Sequence, residues 1–341
     1  MRPPVRRQLL LGLAASLPLL VAAVVLAFKP WVPVLDMAMT EFRVRDVGGR
    51  HTPLVGLPGR IGDFPDQGSH PGPWSFYLVA PFYRLAGSSA WGMELASVVI
   101  NSVCVALLVV MGHRRFGAPG AVVLAAIAAV AVRGYGLTVL THPWNPYFPV
   151  LLWLVALVAT WCVLVGDRWF APVATAASVV AAQTHVPYLV SAIALNAVVV
   201  GSLAWQWRER RTEAGAARPL LVTLGTAFVL WLPPFAEQAR RGGDGNISKL
   251  VEHFGTEQEQ APIGLRAAFG LVTQHFDVVA TAWDLVARED AFVHRAGRID
   301  DGTSVVGLLV LVGWAAAAVW AWRRRHAALL AMHGVAAAMS V

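Results

Sequence analysis

The chain has 341 residues with a formal charge of +7, a hydrophobic fraction of 57% and a charged fraction of only 14%. Soluble domains carry about 25% charged residues, so there is too little charge here to clothe a water-facing surface. The apolar residues come in long blocks, which excludes both disorder and a soluble enzyme. The composition is that of an all-α polytopic membrane protein.

A helix needs about 20 apolar residues to cross a bilayer core. Blocks near that length run at roughly 9–28, 92–111, 120–140, 146–165, 169–185, 187–205, 219–236 and 303–322. A ninth starts near 327 and is still apolar at Val341. These predict a bundle of eight or nine transmembrane helices with interfacial helices in the outer loops. The first block ends in Phe28-Lys29-Pro30-Trp31 without a small-residue cleavage site, so it reads as a retained span. The block at 169–185 is short and contains Pro172, which leaves its ends the least defined. Cys104 and Cys162 sit within apolar blocks and read as packing residues.

Threading the spans with the N-terminus inside gathers Arg2, Arg6, Arg7, Arg114, Arg115 and Arg168 on the cytoplasmic side. Arg208, Arg210, Arg211, Arg218 and Arg323 to Arg325 join them. The short outer turns near 141–146 and 184–187 hold no basic residue. This is the positive-inside pattern, and it accounts for the arginines without nucleic acid as a partner. All of the 20 acids except Asp167, Glu209 and Glu213 fall at the outer side or its boundary. Two long segments, 29–90 and 237–302, also lie there, so the working surface is expected to face outward from an inner, plasma membrane. The expected divisions are a core over 1–236, an outer segment over 237–302, and terminal spans over 303–341, where an apolar end suits a compact or truncated chain.

After the first span, a helix through Asp36 sets Asp36, Thr40 and Arg43 on one face and pairs Glu41 with Arg45 on another. Acids and arginines crowded at the membrane boundary suit a site that handles a hydroxyl and an anionic group. A solvated helix cross-linked by ordinary ion pairs fits the same spacing. Residues 48–72 are too rich in Gly and Pro for a helix and carry Arg60, Asp63, Asp66 and His70. They lead into Trp74-Ser-Phe-Tyr77, the start of a short aromatic stretch expected to lie along the outer leaflet. His70 would serve either the site or the start of that helix.

The order of these features resembles the GT-C superfamily of membrane glycosyltransferases, in the style of the protein mannosyltransferase and aminoarabinose transferase groups of actinobacterial type. Asp36, Glu41, Arg43-Val-Arg45-Asp46, His70-Pro71-Gly72-Pro73 and His142-Pro143-Trp144-Asn145-Pro146 carry the resemblance, over roughly residues 10–235. It implies a sugar donor linked to polyprenyl phosphate, an outer-face glycan, lipid or protein acceptor, and single displacement with inversion. It also implies that Asp36 is the catalytic base, with Glu41 or Asp46 orienting sugar or arginines. The second acid stands five residues beyond Asp36, where many members have two adjacent acids.

Further along, Arg133 lies inside the third block, where an arginine faces a polar cavity, snorkels outward or pairs with an acid such as Glu94; with Arg43 and Arg60 it is the expected partner of the lipid-carrier phosphate. His142, Asn145, Gln183, Thr184 and His185 stand at outer turns and either cap helices or bond sugar and phosphate oxygens. No close-spaced ligand pair supports a metal site or any other cofactor. Residues 262–290 repeat Phe269, Val272, Phe276, Val279, Trp283 and Val286 at helical spacing, which predicts one amphipathic helix. No nucleotide-binding loop occurs, which a lipid-linked donor does not need. The leading expectation is a glycosyltransferase. A non-catalytic carrier or flippase-like transporter would use the same arginines without needing Asp36, and a scaffold subunit would need neither.

Overall fold

The computed structural model describes residues 3–62, 64–256, 263–296 and 302–338, so Arg2, Asp63 and Pro262 lie outside it. The described residues are helical, with no strand and one isolated bridge between Pro58 and Ser69. In chain order the helices are α1 (Pro3–Ala15), α2 (Leu17–Leu26), α3 (Asp36–Asp46), α4 (Trp74–Leu85), α5 (Ala90–Thr141), α6 (Val150–Leu164), α7 (Ala171–Thr184) and α8 (Leu189–Glu209). They continue as α9 (Arg218–Arg241), α10 (Asn246–Gly255), α11 (Gly264–His275), α12 (Val278–Ala287), α13 (Ala291–Ala296), α14 (Val305–Arg323) and α15 (Ala327–Ala338). Two compact units result: Met1–Ala128 with Leu140–Thr256, and Ala129–Val139 with Glu257–Val341. Helix α10 packs on α9 and so belongs to the first unit.

Four helical stretches among the described residues are long and apolar enough to cross a membrane: α5, Val186–Glu209, Arg218–Asp244 and Val305–Arg323. Val190 and Ile193 of α8 and Leu221 and Phe228 of α9 are exposed. Apolar faces this broad are stable against lipid rather than water. The protein is a helical membrane protein, all-helical among the described residues.

The first apolar block breaks into α1 and α2. Pro18 has no N–H for the carbonyl four residues back, and Ser16 Oγ donates to Gly12 O at 2.9 Å. The blocks at 92–111 and 120–140 share one hydrogen-bonded run, α5, which nonetheless folds back on itself. A straight helix would hold Asn101 and Leu140 roughly 58 Å apart. Instead Asn101 Nδ2 donates to Leu140 O at 2.7 Å. The chain reverses around Gly117, at φ +65°, and Gly112 and Gly120 approach so closely that a Cβ on either would overlap the other's carbonyl.

In the first unit α7 is the central helix. Its small residues are nearly all buried and let α6, α8 and α9 pack closely around it. Pro172 lies in the first turn of α7, where a missing N–H leaves no bond unmade, so it starts the helix rather than blurring it. Asn196 of α8 takes the Thr175 hydroxyl at 2.7 Å and donates to Ser178 Oγ at 2.8 Å, a polar clasp between two apolar helices.

Helix α9 runs to Arg241, past the end expected at 236, and carries Pro233 and Pro234 inside it. Pro234 has no N–H for the Leu230 carbonyl. Trp74 Nε1 and Gln183 Nε2 both donate to that carbonyl, at 2.8 Å each. Helix α4 forms where the aromatic stretch predicts it, and one of its faces packs into protein. Its Phe76, Val79, Ala80 and Tyr83 are buried against Val44, Met93, Ala96 and Val179.

The two ends of the first unit carry different residues. Arg114 makes a bidentate pair with Asp167, with both contacts at 3.0 Å, and Gln206 Nε2 donates to Val163 O at 3.1 Å. Arg114, Arg115, Arg168 and Arg208 therefore share one end. The opposite end gathers the loops around Asp36, His70, Asn145 and His185.

In the second unit, the single helix expected over 262–290 is broken. Asp277 interrupts it by capping α12, accepting from Ala280 N–H at 2.9 Å, and it also accepts from Ser304 Oγ at 2.7 Å.

Candidate functional site

Asp36 is the first residue of α3 and follows Leu35, whose φ of +50° turns the chain sharply into the helix. A carboxylate there is favoured by the helix N-terminus. Trp144 Nε1 donates to Asp36 Oδ2 at 2.9 Å, and Thr40 Oγ1 donates to the Asp36 backbone carbonyl at 2.8 Å. Asp36 Oδ1 has no hydrogen-bond partner among the described residues, and no cation pairs with this half-buried side chain. The carboxylate is thus aimed by one indole and keeps one oxygen open.

The residue after Trp144 ties this carboxylate to His70. Val186 N–H donates to His70 Nδ1 at 3.1 Å, so the neutral imidazole carries its proton on Nε2. The Asn145 side-chain amide lies 2.6 Å from that nitrogen. Its oxygen is the atom that can accept from Nε2–H, and this orientation also gives Asn145 Oδ1 its partner. His70 is 6% exposed, and burial first, then neighbouring His185, push its pKa down to about 4, against a smaller opposing pull from Asp36. The His185 ring lies 5.2 Å from the His70 ring, and burial lowers its pKa too. Both imidazoles are neutral near pH 7, and His70 is held at both ring nitrogens.

The His70 backbone is fixed as tightly. Its N–H donates to Leu57 O at 2.8 Å, and its carbonyl accepts from Gly56 N–H at 2.9 Å. Gly72 N–H donates to Gln183 O at 3.2 Å. These bonds bring the Gly/Pro-rich segment to the ends of α7 and α8. His70 does not cap α4, whose N-cap is Pro73.

The other expected residues are distributed around this centre. Glu41 pairs with Arg45 at 2.6 Å, as the spacing requires. Glu41 also accepts from Tyr83 OH at 2.6 Å, while Tyr83 OH accepts from Arg45 Nε at 2.8 Å. That closed triangle anchors α3 on α4. The Asp46 backbone carbonyl accepts from Gly49 N–H at 2.9 Å in the turn that ends α3. Arg60 is exposed without a partner among the described residues. The His142 ring centre lies 5.7 Å from that of Trp31. Arg43 opens into a pocket of about 370 Å³. Arg133 belongs to the second unit, where its Nε donates to Leu285 O at 3.1 Å, and it makes no ion pair among the described residues.

Sequence reasoning passed over Trp144 as an actor, although it stands inside the quoted His142–Pro146 motif and an indole N–H is a donor without an acceptor role. Arg240 and Gln67, which line the pocket beside Arg43, carried no local signal. Among the described residues no group of three or more His, Cys, Asp or Glu is placed to hold a metal ion.

These features define a helical membrane protein with an indole-held carboxylate and two neutral imidazoles at one end of its first unit. Comparison with protein-family profiles, curated proteins and solved structures returned no match.

Proposed function

We propose that the protein is an integral-membrane glycosyltransferase of eight or nine spans, with its N-terminus cytoplasmic and its working face outside the plasma membrane. It moves a sugar from a polyprenyl-phosphate carrier to an acceptor hydroxyl on a glycan, lipid or protein. The observation that carries this reading is Asp36, half-buried, oriented by Trp144 through Oδ2 and open at Oδ1. A base needs a fixed direction and a free lone pair, and Asp36 has both.

As the acceptor oxygen bonds to the anomeric carbon, its proton passes to Asp36 Oδ1. The bond from that carbon to the phosphate oxygen breaks, and its electron pair stays with the lipid phosphate. Charge grows on the phosphate in the transition state, where guanidinium groups stabilise it most. Arg43, seven residues and ~10 Å along α3 from Asp36, and exposed Arg60 are two of the cations at this end. Glu41, engaged by Arg45 and Tyr83, holds α3 in place instead of taking the proton.

The test is sugar transfer from a short-chain polyprenyl-phosphate sugar by protein in lipid nanodiscs. Asp36→Asn keeps an acceptor for Trp144 but removes the base, and transfer should fall by roughly 100- to 10,000-fold. Transfer at the wild-type rate in Asp36→Asn removes the enzyme reading. A carrier transporter would then be favoured if Arg43→Gln alone impaired lipid movement.

A further inference from the structure

The pocket beside Arg43 is built in advance of any ligand. Its walls are α3, residues 51–55 and 67–69, the end of α9 and the start of α10. Asn246 is 5% exposed and clamps Ser69 through both backbone atoms, accepting from its N–H at 2.6 Å and donating to its carbonyl at 3.1 Å. Asn246 N–H in turn donates to Glu237 Oε2 at 2.9 Å. Gln238 Oε1 accepts from Ile247 N–H at 2.9 Å and Ser248 N–H at 3.1 Å. The turn between α9 and α10 is thereby latched by buried or half-buried side chains.

Within this frame the charges divide into engaged and free. Arg241 pairs with Glu237 at 3.3 Å, and Lys249 pairs with Asp66. Arg43 and Arg240 line the same pocket and have no partner among the described residues, and the same holds for Gln67 and Asp244. Each free arginine stands in the last turn of its helix, where the helix dipole favours a cation. No structural ion pair has to be broken to use either guanidinium.

Planar guanidinium forks match the oxygens of phosphate and carboxylate. A bare polyanion would meet the Asp244 carboxylate, which only accepts hydrogen bonds. Hydroxyl groups suit that carboxylate, and the Gln67 amide both donates and accepts. The volume lies in the range of small-ligand sites. We propose that this pocket binds a saccharide bearing one anionic group, with Arg43 and Arg240 on the anion and Asp244 and Gln67 on ring hydroxyls. The ligand is either the sugar-phosphate head of a donor or an acidic saccharide. Binding itself requires no transfer chemistry.

The test is calorimetric titration of the full-length protein in zwitterionic nanodiscs with glucose 1-phosphate, glucuronate, glucose and inorganic phosphate. At least one anionic sugar should bind ten or more times tighter than glucose and than inorganic phosphate, and the one that does identifies the source as phosphate or carboxylate. Arg240→Gln and Arg43→Gln should each weaken that ligand by roughly 10- to 100-fold. Asp36→Asn should leave its affinity unchanged, which separates this site from the transfer reading. Failure of both anionic sugars to bind, equal binding of glucose, or equal binding of inorganic phosphate would overturn the proposal. So would full affinity in Arg240→Gln; unfolding midpoints of the variants matching wild type guard against simple misfolding.

Discussion

The neutral state of His70 makes stability depend on pH in a direction that can be measured. An unfolded chain takes up the histidine proton near pH 6.5, whereas burial beside His185 delays that step in the folded protein to about pH 4. Between these values the unfolded state binds more protons. Stability from this group is therefore complete above pH 6.5 and is lost as pH falls towards 4. The gap corresponds to on the order of 3 kcal/mol at the lower end. His185 works in the same direction.

His70→Asn isolates the term. An asparagine oxygen can replace Nδ1 as acceptor for Val186 N–H, yet the side chain does not titrate. Thermal unfolding in nanodiscs, followed by tryptophan fluorescence, would be stepped from about pH 7.5 to about pH 4.5 for both proteins. Carboxylates and other histidines are common to the two and cancel in the difference. The wild type should lose more stability than the variant on acidification, with the excess approaching 3 kcal/mol. Parallel pH profiles would refute a buried, neutral His70 and with it the tautomer assigned to the Asn145 bond.

The Leu230 carbonyl has two outside donors, so Trp74→Phe or Gln183→Leu alone should leave it served, while the double variant strands it. The double loss should exceed the sum of the single losses by about 1–3 kcal/mol in a double-mutant cycle read by unfolding midpoints. Trp144→Phe removes the donor to Asp36 Oδ2, and transfer should fall roughly 10-fold or more with little change in the unfolding midpoint. Tyr83→Phe opens the Glu41 and Arg45 triangle at its buried corner, and unfolding measurements should find a loss of about 1–2 kcal/mol. Gly120→Leu would force apart the two legs of α5, which should show as failure to accumulate folded protein by size-exclusion chromatography.

What the residues reveal by themselves depends on how local the governing interaction is. The Glu41 and Arg45 pair is four positions apart on one helix, and the Thr40 bond to Asp36 has the same reach, so spacing alone places both. The helices follow from hydropathy because lipid and the protein interior reward the same side chains. For that reason hydropathy cannot say which of the two covers a given face. The buried side of α4, which meets Phe148 and Val180, has a periodicity that lipid contact would give as well. Asp36, Asn145 and His70 each stand out in the sequence, but their assembly does not. It rests on Trp144 reaching Asp36 across 108 positions and on Val186 reaching His70 across 116.

Helix α9 shows why a correct local rule can still misplace an element. Pro233 and Pro234 do remove backbone donors, and the apolar block itself ends at 236. Whether a helix ends at a proline depends on what becomes of the carbonyl four residues earlier, and that is decided elsewhere in the chain. Here Trp74, 156 positions away, and Gln183, 47 positions away, both turn their N–H groups onto the Leu230 carbonyl. The Leu230 carbonyl is then met from outside the helix, which runs on past Pro234. Its extra turns carry Glu237, Gln238 and Arg240, the residues that shape and charge the pocket beside Arg43. The continuation of α9 and the placement of that pocket are thus one event, and the two donors to Leu230 position the pocket without touching it.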